Sequence, residues 1–161
     1  MLPVSIGLRA ATPADGDFCF LVHRAAMSAY VAAVWGWAEA DQLALHHRGF
    51  DPSRTRIVTV DGRDAGLVIV EPAPGHLYLG RIELLPEFQG RGIGSRLIRD
   101  LLRDEPVELD VLAVNPRARA LYRRLGFREI RRDEVRTRMR WSPRTEKGAA
   151  TPEAAAPDRT D

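Results

Sequence analysis

Apolar positions change their period along the chain, and these changes divide it into elements. From Val4 to Arg9 apolar and polar residues alternate, as in a strand with one buried face. Phe18, Leu21, Val22, Ala25 and Ala26 then recur at helical spacing. Thr12-Pro13-Ala14-Asp15 opens that helix. Thr12 is a good N-cap, Pro13 suits the first helical position, and Asp15 lies three residues after the cap. From Met27 to Phe50 the periodicity loosens. Tyr30, Val31, Val34, Trp35 and Trp37 crowd around Gly36, which reads as a broken helical segment. A second helical stretch, Glu39 to His47, carries Leu43 and Leu45 and ends before Asp51-Pro52-Ser53. Arg56 to Val60 and Gly66 to Val70 are β-rich, with a hairpin signal at Asp61-Gly62-Arg63-Asp64 between them. Pro72-Ala73-Pro74-Gly75 reads as a turn and Leu77 to Leu84 as the next strand. Three strands in series therefore meander antiparallel, until Pro86 ends regular pairing.

Beyond Pro86 the period returns to helical. Ile93, Leu97, Ile98, Leu101 and Leu102 make one apolar stripe, stopped by Pro106. Val107 to Val114 reads as a buried strand, so strand, helix and strand give a parallel pair with a right-handed crossover. Asn115-Pro116 caps another helix, carrying Ala118, Leu121, Tyr122 and Leu125 and ending at Gly126. Phe127 to Ile130 and Val135 to Trp141 form a final hairpin. In its second strand Arg136, Arg138 and Arg140 alternate with apolar residues, and the arginine face reads as solvated. The expected fold is α/β: a mixed central sheet with an antiparallel N-terminal meander and one parallel pair, flanked by helices. Residues 1–141 form one domain. Residues 142–161 lack apolar periodicity and are expected to be a disordered tail.

Composition narrows the classes. At 161 residues the chain suits a single domain with a real core. A formal net charge of +2 argues against a dedicated nucleic-acid partner. No uninterrupted run of about 18 apolar residues exists, so no membrane span is expected. The start, Met1-Leu2-Pro3-Val4-Ser5, lacks the basic and apolar regions of a signal peptide. The single cysteine, Cys19, reads as core packing and fits a reducing compartment, so a cytoplasmic location is expected. His46 and His47 are adjacent and point to different helix faces, while His23 and His76 lie far away. No metal-ligand spacing appears, and no metal site is expected.

The candidate chemistry lies between Gln89 and Ser95. Gly90, Gly92 and Gly94 free the backbone to approach a ligand, and the helix that follows offers unpaired N–H groups and a positive dipole end. Together these make a phosphate or pyrophosphate site. The pattern G-x-x-x-x-G-K-[ST] fails, because no Lys-Ser or Lys-Thr follows the glycines. The dinucleotide pattern G-x-G-x-x-G also fails, since the glycines run G-x-G-x-G.

Gln89-Gly90-Arg91-Gly92-Ile93-Gly94 has the form Q-x-x-G-x-G and follows Leu84-Leu85-Pro86-Glu87-Phe88. It resembles the acetyl-CoA motif of the GNAT superfamily of N-acetyltransferases. Asn115 to Phe127 is similar to the family's second motif, N-x-x-A-x-x-L-Y-x-x-x-G-F. The resemblance covers about Ile6 to Trp141 and implies a function: direct transfer of an acetyl group from acetyl-CoA to a primary amine of a small molecule or peptide. By the same resemblance Ile82, Glu83 and Leu84 would pair with the pantetheine arm. Gln89, Gly90, Arg91, Gly92, Ile93, Gly94 and Ser95 would hold the pyrophosphate, and Asn115 and Tyr122 would reach the thioester end. Tyr122 would protonate the departing thiolate, and Glu83 or Asp110 would serve as base or relay. Tyr30, Trp35, Trp37 and Glu39, with His46 and His47, lie where relatives bind the acceptor. The alternative is a non-catalytic, regulatory acyl-CoA-binding module of the same fold. Dimers are common in the family, which leaves a homodimer open.

Overall fold

The computed structural model describes residues 3–144. Its strands are β1 (Ile6–Ala10), β2 (Thr55–Val60), β3 (Arg63–Ala73), β4 (His76–Leu84), β5 (Val107–Leu112), β6 (Arg128–Arg132) and β7 (Arg136–Trp141). Its helices are α1 (Gly16–Trp35), α2 (Glu39–Gly49), α3 (Ile93–Leu101) and α4 (Pro116–Arg124). The strands form one sheet in the order β1-β2-β3-β4-β5-β7-β6. β4 and β5 are parallel and all other neighbours antiparallel. The expected mixed α/β sheet is therefore present, with its meander, parallel pair and last hairpin in the expected order.

Strand alternation explains the layers. Ile57 and Leu67 face α1 and pack on Cys19 and Val22. Their neighbours Val58 and Val68 face the other way, into a core with Ile93 and Ile98 of α3, Leu109 and Met139. Each such side chain, fully buried, contributes about 1.5–3 kcal/mol by leaving water. Ala118 and Tyr122 of α4 pack against this second core.

α1 is regular across the stretch from Met27 where the apolar spacing loosens, and the break lies at Gly36 as expected. It runs unbroken to Trp35 and stops at Gly36, whose φ is 80°. Ala25, Ala26, Ala29, Ala32 and Ala33 carry it on propensity, although its apolar face there is ill-defined. By length and composition, Pro13–Trp35 meets the measure of a membrane-spanning helix. The expectation of no such stretch rested on uninterrupted apolar runs, which Asp17, His23 and Arg24 deny. Here Cys19, Phe20 and Val22 bury one side of the helix in the protein. Ahead of α1, Pro13–Asp15 is a 3-10 turn. Asp15 accepts from the Thr12 backbone N–H at 2.8 Å and pairs with Arg9 of β1 at 2.8 Å.

β3 also runs past its expected end, through Pro72 to Ala73. β2 pairs with it only as far as Ile69, so Pro72 has a free edge on that side and its missing N–H costs nothing there. The expected tail lies almost wholly outside the described residues.

Two irregularities shape the centre of the sheet. The β3–β4 register slips between Ile69 and Val70, leaving Gly80 as the extra residue on β4. Such a bulge bends and twists its strand. Accordingly β4 and β5 pair only at Leu77↔Val107 and Tyr78↔Glu108, and then part. From Gly80 to Leu84, β4 has a partner on one side only.

Candidate functional site

The open edge of β4 leads into the glycine turn. Ile82, Glu83 and Leu84 pair with Val68, Leu67 and Gly66 of β3, while their other side faces the gap left by β5. Gly66 permits this placement. A Cβ there would overlap the Glu83 carbonyl oxygen and come within 2.8 Å of Leu84 Cδ2. After Leu84 the chain turns through Pro86–Phe88, and Gln89 Nε2 donates back to the Leu84 carbonyl at 2.9 Å. The turn is thus tied to the end of the strand that precedes it.

The turn itself is open. Gly90 and Gly92 have φ of 73° and 77°, a region costly for other residues. A Cβ at Gly92 or Gly94 would meet nothing within 4 Å. Gly92 caps α3, and Arg96 N–H is the first to bond back to it, at 3.1 Å. The N–H groups of Ile93, Gly94 and Ser95 therefore project beyond the helix end. Arg91 and Arg63 both stack on the buried ring of Phe88, at 5.7 and 5.4 Å, which holds two cations beside the turn. Arg117 approaches from α4, its Nη2 4.0 Å from where a Gly90 Cβ would be. Free N–H groups, empty space and guanidinium charge are what a pyrophosphate needs.

Asn115 accepts from the Ala118 N–H at 3.2 Å and so caps α4. That helix carries Tyr122 to the gap. Tyr122 packs edge-on against Phe127, with centroids 5.8 Å apart. Its hydroxyl makes no hydrogen bond among the described residues and is not sealed from solvent. Burial, with a smaller contribution from the Glu83 charge, pushes the phenol up to about 12. It is therefore a proton donor at neutral pH, close enough to Glu83 to feel its charge.

Glu83 and Asp110 belong to separate networks. Glu83 is 6% exposed, and His23 Nδ1 of α1 lies 2.8 and 3.1 Å from its two oxygens. Asp110 accepts from Tyr78 Oη at 2.8 Å and from Arg138 Nε and Nη2 at 2.9 Å each. Burial works to raise the Asp110 carboxyl, but hydrogen bonds from Arg138 and Tyr78 outweigh it and hold the group low. Glu108 is held similarly by Arg140 at 2.6 Å and Arg138 at 3.2 Å. The arginine face of β7 is therefore not simply solvated. Arg138 and Arg140 stand directly opposite Asp110 and Glu108 and neutralise them.

A cleft of about 440 Å³ opens between α1, α2 and the sheet. Cys19, His23, His46, Phe50, Ile69 and Arg81 are among its lining residues. Cys19 is also core, as expected, and burial pushes its thiol up to about 11, so it is no nucleophile. His46 donates through Nε2 to the Gly16 carbonyl at 2.7 Å and packs 5.4 Å from both Phe20 and Phe50. Burial lowers its pKa, so the ring is a neutral joint between α1 and α2. His47 is its neighbour, with centroids 6.1 Å apart.

The other expected acceptor residues lie outside the lining of this cleft, and of them only Trp37 and Glu39 are joined by a hydrogen bond. Glu39 accepts from Trp37 Nε1 and from Arg24 Nη1, both at 2.7 Å. The Trp37 ring lies 5.9 Å from that of His23. Trp35 is half-exposed and Arg136 stacks on it at 5.2 Å. Tyr30 is half-buried on α1. Among the described residues no cluster of three or more metal-ligating side chains occurs. Sequence reasoning missed His23, because nothing local marks a lone histidine in an apolar helix as the partner of a strand 60 residues away. It also missed Gly66, whose closeness to β4 follows only from strand register.

A family model described as acetyltransferase (GNAT) family matches residues 22–127, more than half of the chain. The N-alpha-acetyltransferase RimI of Mycobacterium tuberculosis is 50% identical over 48 residues, which make up 28% of this chain and 30% of that protein. The chain thus matches under a third of that curated relative's length. The paia N-acetyltransferase of Thermoplasma acidophilum, solved with coenzyme A, superposes with a TM-score of 0.68 at 16% identity, over 86% of this chain and 99% of that one. The ribosomal-protein-S18-alanine N-acetyltransferase of Escherichia coli gives 0.64 at 20% identity, over 89% and 98%. At these identities the structural likenesses establish the fold.

Proposed function

The chain belongs to the acetyltransferase (GNAT) family, and from that premise we propose that it moves the acetyl group of acetyl-CoA to the primary amine of a peptide N-terminus. One observation carries the donor half: the free edge of β4 leads, through a short turn tied back to its end, to an empty, cation-flanked glycine turn. That geometry fits an extended arm ending in a pyrophosphate. Ile82, Glu83 and Leu84 would bind the arm as an added strand. The residues from Gln89 to Ser95 would hold the pyrophosphate, with Arg91, Arg63 and Arg117 supplying charge. A solved relative of this fold holds coenzyme A, which supports the same ligand here.

Acetyl-CoA supplies an activated thioester. The chain's part is to orient it, hold the developing oxyanion and move protons. The Leu84 N–H, at the end of the cofactor strand, would face the oxyanion. Tyr122, protonated and without a hydrogen-bond partner among the described residues, would give its proton to the departing sulfur. Support for a peptide acceptor over a small amine comes from the segment shared with an N-alpha-acetyltransferase and from the likeness to an enzyme named for an alanine of a ribosomal protein. A cytoplasmic site of action accompanies this reading.

The test is thiol release from acetyl-CoA with a panel of peptides and small amines. Acetylation of a peptide's α-amine is expected. If acetyl-CoA binds but no amine in the panel is acetylated, the enzyme reading falls and a regulatory acyl-CoA-binding module takes its place. Acetylation of small amines alone would displace the peptide acceptor. Gly94→Glu tests the turn independently. Its backbone is ordinary helix, its surroundings are empty, and an acid at a helix start is favourable. The domain should stay folded while acetyl-CoA affinity drops by at least about 10-fold, as like charges meet.

A further inference from the structure

The acceptor amine must lose a proton before it can attack, and the carboxylates are poorly placed to take it directly. Both Asp110 oxygens are engaged by Tyr78 and Arg138. Both Glu83 oxygens lie against one imidazole nitrogen, His23 Nδ1, and the carboxylate is buried. An ionised carboxylate only accepts, so Nδ1 carries the hydrogen, which leaves Nε2 as the nitrogen that can take and release a proton. Nε2 has no hydrogen-bond partner among the described residues and is not sealed from solvent. His23 lines the 440 Å³ cleft. This is a base held in one tautomer by a buried acid, with its free nitrogen turned to open space.

We propose that His23 Nε2 is the base that deprotonates the acceptor amine and that Glu83 is its positioning residue, an assignment that rests on the acetyltransferase reading. The groups facing His23 are Glu83 and Arg81 from β4, Cys19 from its own helix, His46 from α2 and the Trp37 ring at the elbow. Of these, Arg81 has no ion-pair partner among the described residues and is exposed, His46 is fixed on the Gly16 carbonyl, and Cys19 stays a thiol. The protons balance as follows. The ammonium gives one to Nε2. Its nitrogen then bonds to the acetyl carbon while the carbonyl electron pair moves to oxygen. When the pair returns, the carbon–sulfur bond breaks and the sulfur takes the Tyr122 proton. The new amide nitrogen sheds its second proton, which restores Tyr122, and Nε2 releases the first to water through the cleft.

The experiment compares His23→Gln, His23→Gly and Glu83→Gln with wild type in the thiol-release assay, alongside acetyl-CoA affinity and thermal unfolding. His23→Gln should lower kcat about 10²-fold with acetyl-CoA affinity unchanged. It should also abolish the acidic limb of the pH–rate profile, leaving a rate that climbs with hydroxide. Added imidazole should restore part of the activity of His23→Gly and none of that of Glu83→Gln. A His23→Gln enzyme within about threefold of wild type, with the same pH profile, would overturn the proposal alone. Absence of transfer by wild type across the panel would overturn the acetyltransferase reading and the proposal with it. Should the variants not fold, nitrogen NMR of the wild-type His23 ring decides. Hydrogen on Nδ1 and a bare Nε2 are expected, and the opposite tautomer refutes the assignment.

Discussion

Two tyrosines show how little a residue's type says about its role. Tyr78 and Tyr122 are both pushed up to about 12, chiefly by burial. Tyr78 spends its hydroxyl on Asp110, whereas that of Tyr122 has no partner among the described residues. Tyr122→Phe should therefore lower kcat about 10²-fold without changing acetyl-CoA affinity or Tm, as read by single-turnover thiol release. Because the phenol remains protonated until about pH 12, the wild-type rate should show no alkaline fall assignable to Tyr122 between pH 7 and 10. The motif around Asn115 made Tyr122 legible in the sequence. His23 was not, since its meaning depends on a contact across 60 positions.

At the level of elements, β4 is constrained on one side and free on the other. Gly66 lets it lie close to β3, and the Gly80 bulge swings it away from β5. Gly66→Ala has an ordinary backbone conformation but no room, so β4 must shift at Glu83 and Leu84. We expect acetyl-CoA affinity to fall by about 10-fold or more and stability by about 1–3 kcal/mol, measured by calorimetric titration and urea unfolding. The β5–β7 ladder makes a second case. Arg138 serves both Glu108 and Asp110, and all three groups are at most about a fifth exposed. Arg138→Met leaves two carboxylates short of a partner and should cost about 3 kcal/mol in the same unfolding measurement. Alternation alone marked the arginines as one face. Only the register, Arg138 opposite Asp110 and Arg140 opposite Glu108, reveals that the face is paired.

For the whole molecule, these pairings set the response to acid. Hydrogen bonds from Arg9 hold the Asp15 carboxyl well below its usual range. Burial opposes the same effect at Glu108 and Asp110, but their arginines prevail. A depressed carboxyl contributes stability that is fully present above the ordinary carboxylate pKa of about 4 and is lost as pH falls through the folded value. Stability in thermal unfolding should thus weaken slightly as pH falls from 7 to about 5, because burial disfavours the His46 imidazolium, and decline steeply below about 4. The decline should be shallower in Asp15→Asn, which has one such group fewer. A fall between pH 7 and 5 as steep as that below 4 would contradict this and make histidines the dominant groups instead.

By itself the sequence determined the order of elements, the mixed sheet and the glycine turn. These are local matters: periodicity, caps and backbone freedom act within a few residues, and the ligand cradle is built from one continuous segment. The tertiary structure alone decided what lies across gaps in sequence. It joined His23 to Glu83, set Arg138 against Asp110, and brought Gly66 under the Glu83 carbonyl. Strand register and helix docking create those contacts, and neither is encoded in the spacing of residues along one element.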